Sequence, residues 1–136
     1  MELNKIVTET DDVVIRFSGD SGDGMQMTGT LFTDTSALFG NGISTFPDDP
    51  AEIRAPQGTV SGVSGFQVHF GNKTIYTPGD YCDVLVAMNP AALKSNARWL
   101  KKGATVICDA DTFNEKGFQK AGFKTEDPIA ELNLVD

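Results

Sequence analysis

The stretch from Val13 to Phe39, VVIRFSGDSGDGMQMTGTLFTDTSALF, constrains this chain more than any other. A short apolar strand, Val13 to Phe17, runs into a turn with glycines at Gly19, Gly22 and Gly24 and acids at Asp20 and Asp23, and a helical pattern follows. A strand that feeds a helix through a glycine turn is the unit from which α/β sheets build binding crevices. Glycine admits positive φ and lets another group approach the backbone. The first helical turn leaves N–H groups without intrahelical partners. Met25, Phe32 and Phe39 recur seven apart with Leu31 and Leu38 beside them, which predicts one core-facing apolar stripe. Four threonines and Gly29 weaken the helix by propensity, so packing has to hold it, with Gly29 marking a close approach to the sheet.

The rest of the chain supplies the sheet. Ile43–Phe46 reads as a second short strand. PDDPAEIRAPQG follows, and Pro47, Pro50 and Pro56 forbid a regular helix or central strand there. Long irregular segments inside compact domains are either functional or mobile. Thr59–Phe70 reads as a strand with Phe66, Val68 and Phe70 on one face and Gln67 and His69 on the other. Gly71-Asn72 suggests a two-residue hairpin into Lys73–Thr77, and Pro78-Gly79-Asp80 a further turn. Val84–Met88 is apolar without alternation, as in a buried parallel strand. Asn89-Pro90 is a helix start, and the helix is expected to reach about Lys102, with Leu93, Ala97 and Leu100 inward and Gly103 as the stop. Thr105–Cys108 is the next strand, ended by Asp109, and the pattern weakens beyond Asp111. The sum is a three-layer α/β/α sandwich with a mixed, mostly parallel sheet. In such sheets the binding crevice lies at the carboxyl ends of the strands. The Gly19–Gly24 turn, Asn89 and Asp109 should therefore share one rim.

Composition narrows the function classes. The 136 residues suffice for one domain with a real core, and 40% hydrophobic with 22% charged residues fits a soluble globular protein. A net charge of −8 repels phosphate backbones and sets nucleic-acid binding aside. No apolar run is long enough to cross a membrane, and MELNKIVTETDD is no secretory signal, so a cytoplasmic protein is expected. Cys82 and Cys108 lie in apolar runs and read as reduced core thiols. With no C-x-x-C and one histidine, a zinc or iron–sulfur site carried by this chain alone is not expected.

The glycine turn departs from the known phosphate-binding loops. Its G-x-x-G-x-G spacing reverses the dinucleotide fingerprint, and two carboxylates in the loop repel a pyrophosphate. No Lys-Ser/Thr pair follows, which excludes a Walker A loop. Gly22-Asp23-Gly24 opens like a thiamine diphosphate motif, but Asp48-Asp49 stands where that motif needs paired asparagines, so the match is read as coincidental. A plain β–α turn with Asp20 or Asp23 as helix cap accounts for the same residues, and both roles can coexist. Lys94, Arg98, Lys101 and Lys102 fall on one face of the expected helix, most simply a solvated face. Arg54 reads equally as a bidentate anion ligand or as the partner of a nearby acid such as Glu52. His69 reads as a polar-face residue. No nucleophile–base pair is visible, so the residues describe a binding or interface domain.

Three blocks, RFSGDSGDGMQMTG (Arg16–Gly29), FPDDPAEIRAPQGTVSGVSGFQVHF (Phe46–Phe70) and CDVLVAMNPAAL (Cys82–Leu93), together resemble the gamma domain of the 2-oxoacid:ferredoxin oxidoreductases. The likeness is greatest to the 2-oxoglutarate type, where this domain begins the alpha subunit. The resemblance implies a part in thiamine-dependent oxidative decarboxylation, in which a 2-oxoacid, coenzyme A and oxidised ferredoxin give acyl-CoA, carbon dioxide and reduced ferredoxin. It implies coenzyme A as substrate and no cofactor bound by this chain alone. Thiamine diphosphate, magnesium and iron–sulfur clusters would sit in partner domains or subunits, with ferredoxin as a further partner. A non-catalytic role in coenzyme A binding and active-site closure carries to Gly19, Gly22, Asp23, Gly24, Met25, Gln26, Arg54 and Asn89, which match the family's motif positions. The alternative is a subunit-docking domain with no ligand of its own. Residues 1–136 would form a single gamma-type domain that stops short of the family's closing elements, and an open edge would favour self-association.

Overall fold

The computed structural model describes residues 7, 9–20, 22, 24–48 and 63–124. The elements run β1 (Asp12–Asp20), α1 (Met25–Leu38), β2 (Gly42–Asp48), β3 (Val63–Gly71), β4 (Cys82–Ala87), α2 (Pro90–Asn96), a 3-10 turn (Ala97–Trp99), β5 (Leu100–Cys108) and α3 (Glu115–Ala121). The strands lie in the order β2-β3-β1-β4-β5. The β1–β4 and β4–β5 pairs are parallel, and β3 is antiparallel to both β1 and β2. Four strands thus point one way and β3 alone is reversed, which is the expected α/β sandwich with a mixed sheet.

The pleat of β1 sorts the layers. Ile15 and Phe17 face α1 together with Met25, Phe32, Phe66, Val68 and Phe70. Val14 faces α2, where Cys82, Leu85, Ala87, Ala92 and Leu93 close the second core. The third helix flanks α2 through Phe118, Ala121 and Phe123, packed with Ala91 and Phe113. A Cβ at Gly29 would overlap the Phe66 ring, so the expected close approach of helix to sheet is real.

Five expectations are corrected. The inward stripe of α1 is Met25, Gly29, Phe32 and Ser36, whereas Leu31, Leu38 and Phe39 are exposed. The seven-residue spacing holds for Met25 and Phe32, but Leu31 and Leu38 lie on the opposite, outer side and Phe39 falls beyond the end of the helix, away from the sheet. No strand forms at Lys73–Thr77: β3 pairs along its whole length with β1, and Gly71 meets the chain entering β1 rather than turning a hairpin. The second helix stops at Asn96, because the Asn96 amide is drawn into the interior. Lys101, Lys102 and Gly103 lie in β5 instead, so the expected basic helical face does not exist. Gly103, at φ 80, falls where β5 carries extra residues relative to β4. Cys108 is exposed at the end of an edge strand, while Cys82 is buried as expected. The region after Asp111, expected to be weakly patterned, holds α3.

Candidate functional site

Because β1, β2, β4 and β5 point the same way, their carboxyl ends form one rim, and β3 begins there. The glycine turn leaves β1 at this rim. The connection from β2 to β3 departs at Asp48 and returns at Val63, opposite Asp20. Asn89 follows β4, and Asp109 follows β5. The expected shared rim is therefore present.

Asn89 joins two of these pieces. Its Oδ1 accepts from the Ala92 N–H at 2.8 Å, capping α2, with Pro90 in the first helical position. Its Nδ2 donates to Asp20 Oδ1 at 3.0 Å. The loop after β5 is tied to the same place. The Thr112 hydroxyl donates to the Met88 carbonyl at 2.8 Å, and Asp109 Oδ1 accepts from the Asp111 N–H at 3.1 Å. Asn114 then caps α3 by accepting from the Gly117 N–H at 2.9 Å. Between these parts lies a cleft of about 310 Å³, lined by Asp20, Asn89, Thr112, Asn114, Lys116 and Lys120 among others. Lys116 and Lys120 stand one turn apart on α3, so both ammonium groups are available to one ligand.

The other candidate residues divide. Gly24 begins α1 in the left-handed region, φ 75, and its carbonyl accepts from the Thr28 N–H at 2.9 Å, a geometry that favours glycine. Gly22 is exposed in the turn, and Gly19 is buried in β1 opposite Ser64. Met25 is a core residue between Phe17, Phe66 and Val68. The Gln26 Nε2 donates to the Gly65 carbonyl at 2.7 Å and to Ser64 Oγ at 3.3 Å, fixing the start of α1 to β3. Asp23 and Arg54 lie outside the described residues. Lys116 and Lys120 were missed. The signal was available as Asn114, a good cap, followed by Phe118 and Ala121 at helical spacing and Gly122 as the stop.

Sequence reading also missed a buried polar cluster on the α2 face. The Arg16 guanidinium donates from Nε to Asn96 Oδ1 at 2.5 Å and from Nη1 to Gln67 Oε1 at 3.1 Å, and it pairs with Asp48 through Nη2. Asn96 donates in turn to Ser18 Oγ at 2.8 Å, and Gln67 donates to the Pro78 and Gly79 carbonyls at 2.8 and 2.6 Å. A smaller cavity, about 200 Å³, opens beside it, walled by Phe46, Arg98 and Trp99. Every Arg16 nitrogen thus has a protein acceptor, which makes this cluster a brace between strands and helix rather than a vacant anion site. His69, on the same face of β3, lies 2.5 Å from Asp12 Oδ2 and 2.6 Å from the Thr77 carbonyl.

An iron–sulfur cluster does not fit here, since it needs about four thiolates and the chain has two cysteines, one buried and one exposed. Among the described residues no group of three or more His, Cys, Asp or Glu could hold a metal ion, and no helix is long and apolar enough to cross a membrane.

Residues 14–134 match the family model described as pyruvate ferredoxin/flavodoxin oxidoreductase. The chain is 53% identical over 126 residues to the 2-oxoglutarate oxidoreductase subunit KorA of Mycobacterium tuberculosis, covering 93% of this chain and 19% of that protein. It therefore spans about a fifth of the length of this curated relative. A solved 2-oxoglutarate:ferredoxin oxidoreductase from Magnetococcus marinus, with 2-oxoglutarate, coenzyme A and succinyl-CoA bound, superposes with a TM-score of 0.65 at 31% identity, over 74% of this chain and 17% of that one. The gamma subunit of a keto/oxoacid ferredoxin oxidoreductase from Geobacter sulfurreducens shares the fold, with a TM-score of 0.57 at 22% identity, over 75% of this chain and 53% of that one.

Proposed function

The chain belongs to the pyruvate ferredoxin/flavodoxin oxidoreductase family, and on that premise we propose that it is a non-catalytic, gamma-type domain of a 2-oxoglutarate-type 2-oxoacid:ferredoxin oxidoreductase. Its role in this reading is to help bind coenzyme A and to cover the active site. The observation that carries the reading is the rim cleft, where Lys116 and Lys120 face the polar groups of Asn89, Thr112 and Asn114. Coenzyme A is a polyanion with a long neutral arm. Two ammonium groups suit its phosphates, while Asp20 and Asp111 on the remaining wall keep phosphate toward α3. The amide and hydroxyl groups suit the neutral arm. The Magnetococcus enzyme, similar over three-quarters of this chain, holds coenzyme A and succinyl-CoA.

In this reading thiamine diphosphate would supply the carbanion chemistry of decarboxylation and iron–sulfur clusters the electron transfer toward ferredoxin. Both belong, in this reading, to partner domains or subunits of a cytoplasmic assembly. The present residues bind, orient and exclude water. The turn at Gly22 and Gly24, with Asn89, completes the binding rim; for Gly19, Asp23 and Arg54 a binding role rests on the family resemblance of their motif positions. Met25 and Gln26 contribute by holding α1 in place.

Calorimetric titration of the chain with coenzyme A tests this. Lys116→Glu/Lys120→Glu should weaken binding at least tenfold without moving the thermal midpoint, since both side chains are exposed. Arg54→Ala should also weaken it. No binding by the wild type, or equal binding by the lysine variant, would overturn the reading in favour of a domain that only docks.

A further inference from the structure

The outer face of α1 is unlike that of the other helices. Met27, Leu31 and Leu38 are 70%, 60% and 87% exposed, and Phe39, which ends the helix, is 81% exposed. At 3.6 residues per turn, Met27, Leu31, Asp34 and Leu38 fall within an arc of about 60°. Asp34 is the single charged residue in these fourteen, whereas the seven residues of α3 include Glu115, Lys116 and Lys120. The threonines between the apolar residues make little polar demand. Thr28, Thr30 and Thr35 are exposed, yet each hydroxyl already donates to the carbonyl four residues back, at 3.0, 2.8 and 2.8 Å. Their donors are satisfied inside the helix and their methyl groups remain outside. Such a face loses little hydration when covered, and depletion of charge with enrichment in methionine and aromatic side chains marks the centre of interfaces.

We propose that the Met27–Leu31–Leu38 face of α1 is the docking surface for a partner polypeptide of the same oxidoreductase, one that presents an apolar patch with a lysine or arginine opposite Asp34. This rests on the oxidoreductase reading. Charge decides against a second copy of this chain. The chain carries −8, and the one charge on the stripe is acidic, so two copies repel where a cationic rim is drawn in. The curated relative is itself named a subunit, and this chain spans 19% of it.

The test is co-expression of the full chain with the thiamine-binding and iron–sulfur polypeptides of the same organism's 2-oxoglutarate:ferredoxin oxidoreductase, with assembly measured by affinity and by mass. Leu31→Glu/Leu38→Glu should weaken assembly at least tenfold, and Asp34→Lys about tenfold, with unchanged thermal midpoints and unchanged coenzyme A titration. Tyr76→Glu, a control at another exposed aromatic, should assemble as wild type. Assembly indifferent to the charged stripe would overturn the docking face while leaving the oxidoreductase reading standing. A wild-type chain that dimerises through the stripe, with the dimer lost in Leu31→Glu/Leu38→Glu, would assign the face to a second copy and overturn the proposal. A wild-type chain that joins no such assembly would overturn both.

Discussion

Arg16 shows what a single residue does for this fold. It points from a central strand to the α2 face, where an unpaired guanidinium would be costly, and it is held by Asn96, Gln67 and Asp48. One side chain thereby fastens β1 to α2, β3 and the end of β2. Arg16→Met should cost about 3 kcal/mol, because it leaves buried acceptors on Asn96 and Gln67 unsatisfied; denaturant unfolding measures this. Gly29→Ala should cost about 1–3 kcal/mol, since a methyl group there overlaps Phe66. Gly29 was legible in the sequence, as an anomaly in a helix. The Arg16 brace was not, because its partners lie 32, 51 and 80 residues away and no local pattern links them. A hydrogen bond from His69 holds the Asp12 carboxyl below its ordinary 3.8. A depressed carboxyl contributes stability above 3.8 that is lost as pH falls through the lower folded value. Asp12→Asn should therefore flatten the acid limb of the stability profile below pH 4. Burial pushes both thiols up, but only Cys108 is exposed, so at pH 8 a maleimide should label Cys108 alone, and slowly, until the chain is unfolded.

At the scale of elements, caps decided what could be read. Asn89-Pro90 fixed the start of α2, and the structure puts both in their expected roles. Its end was overrun, because Leu100 continues the helical spacing while Asn96 is drawn toward Arg16 and Ser18. The third helix was overlooked because it packs on α2 and not on the sheet, so seven residues with one buried aromatic gave little periodicity. Asn89→Ala should lower stability by about 1 kcal/mol through loss of the cap. Asn89→Ser keeps a capping oxygen but removes the donor to Asp20. It should restore most of the stability and still weaken coenzyme A binding, a split that thermal melts and calorimetry resolve.

At the scale of the whole molecule, strand direction does most of the work. Four strands ending at one rim gather the glycine turn, Asn89 and the Asp109 loop, so the position of this rim, the candidate site, was legible from the β-α-β pattern alone. Its cations were not, because they depend on α3. Backbone amide shifts of the isotopically labelled chain, followed as coenzyme A is added, test the central claim most directly. The account predicts saturable shifts at Asp20, at Asn89–Ala92 and from Asp111 to Lys120, with little change at the β5 edge or on the outer face of α1. Shifts confined to those two surfaces, or no shifts at millimolar coenzyme A, would contradict it.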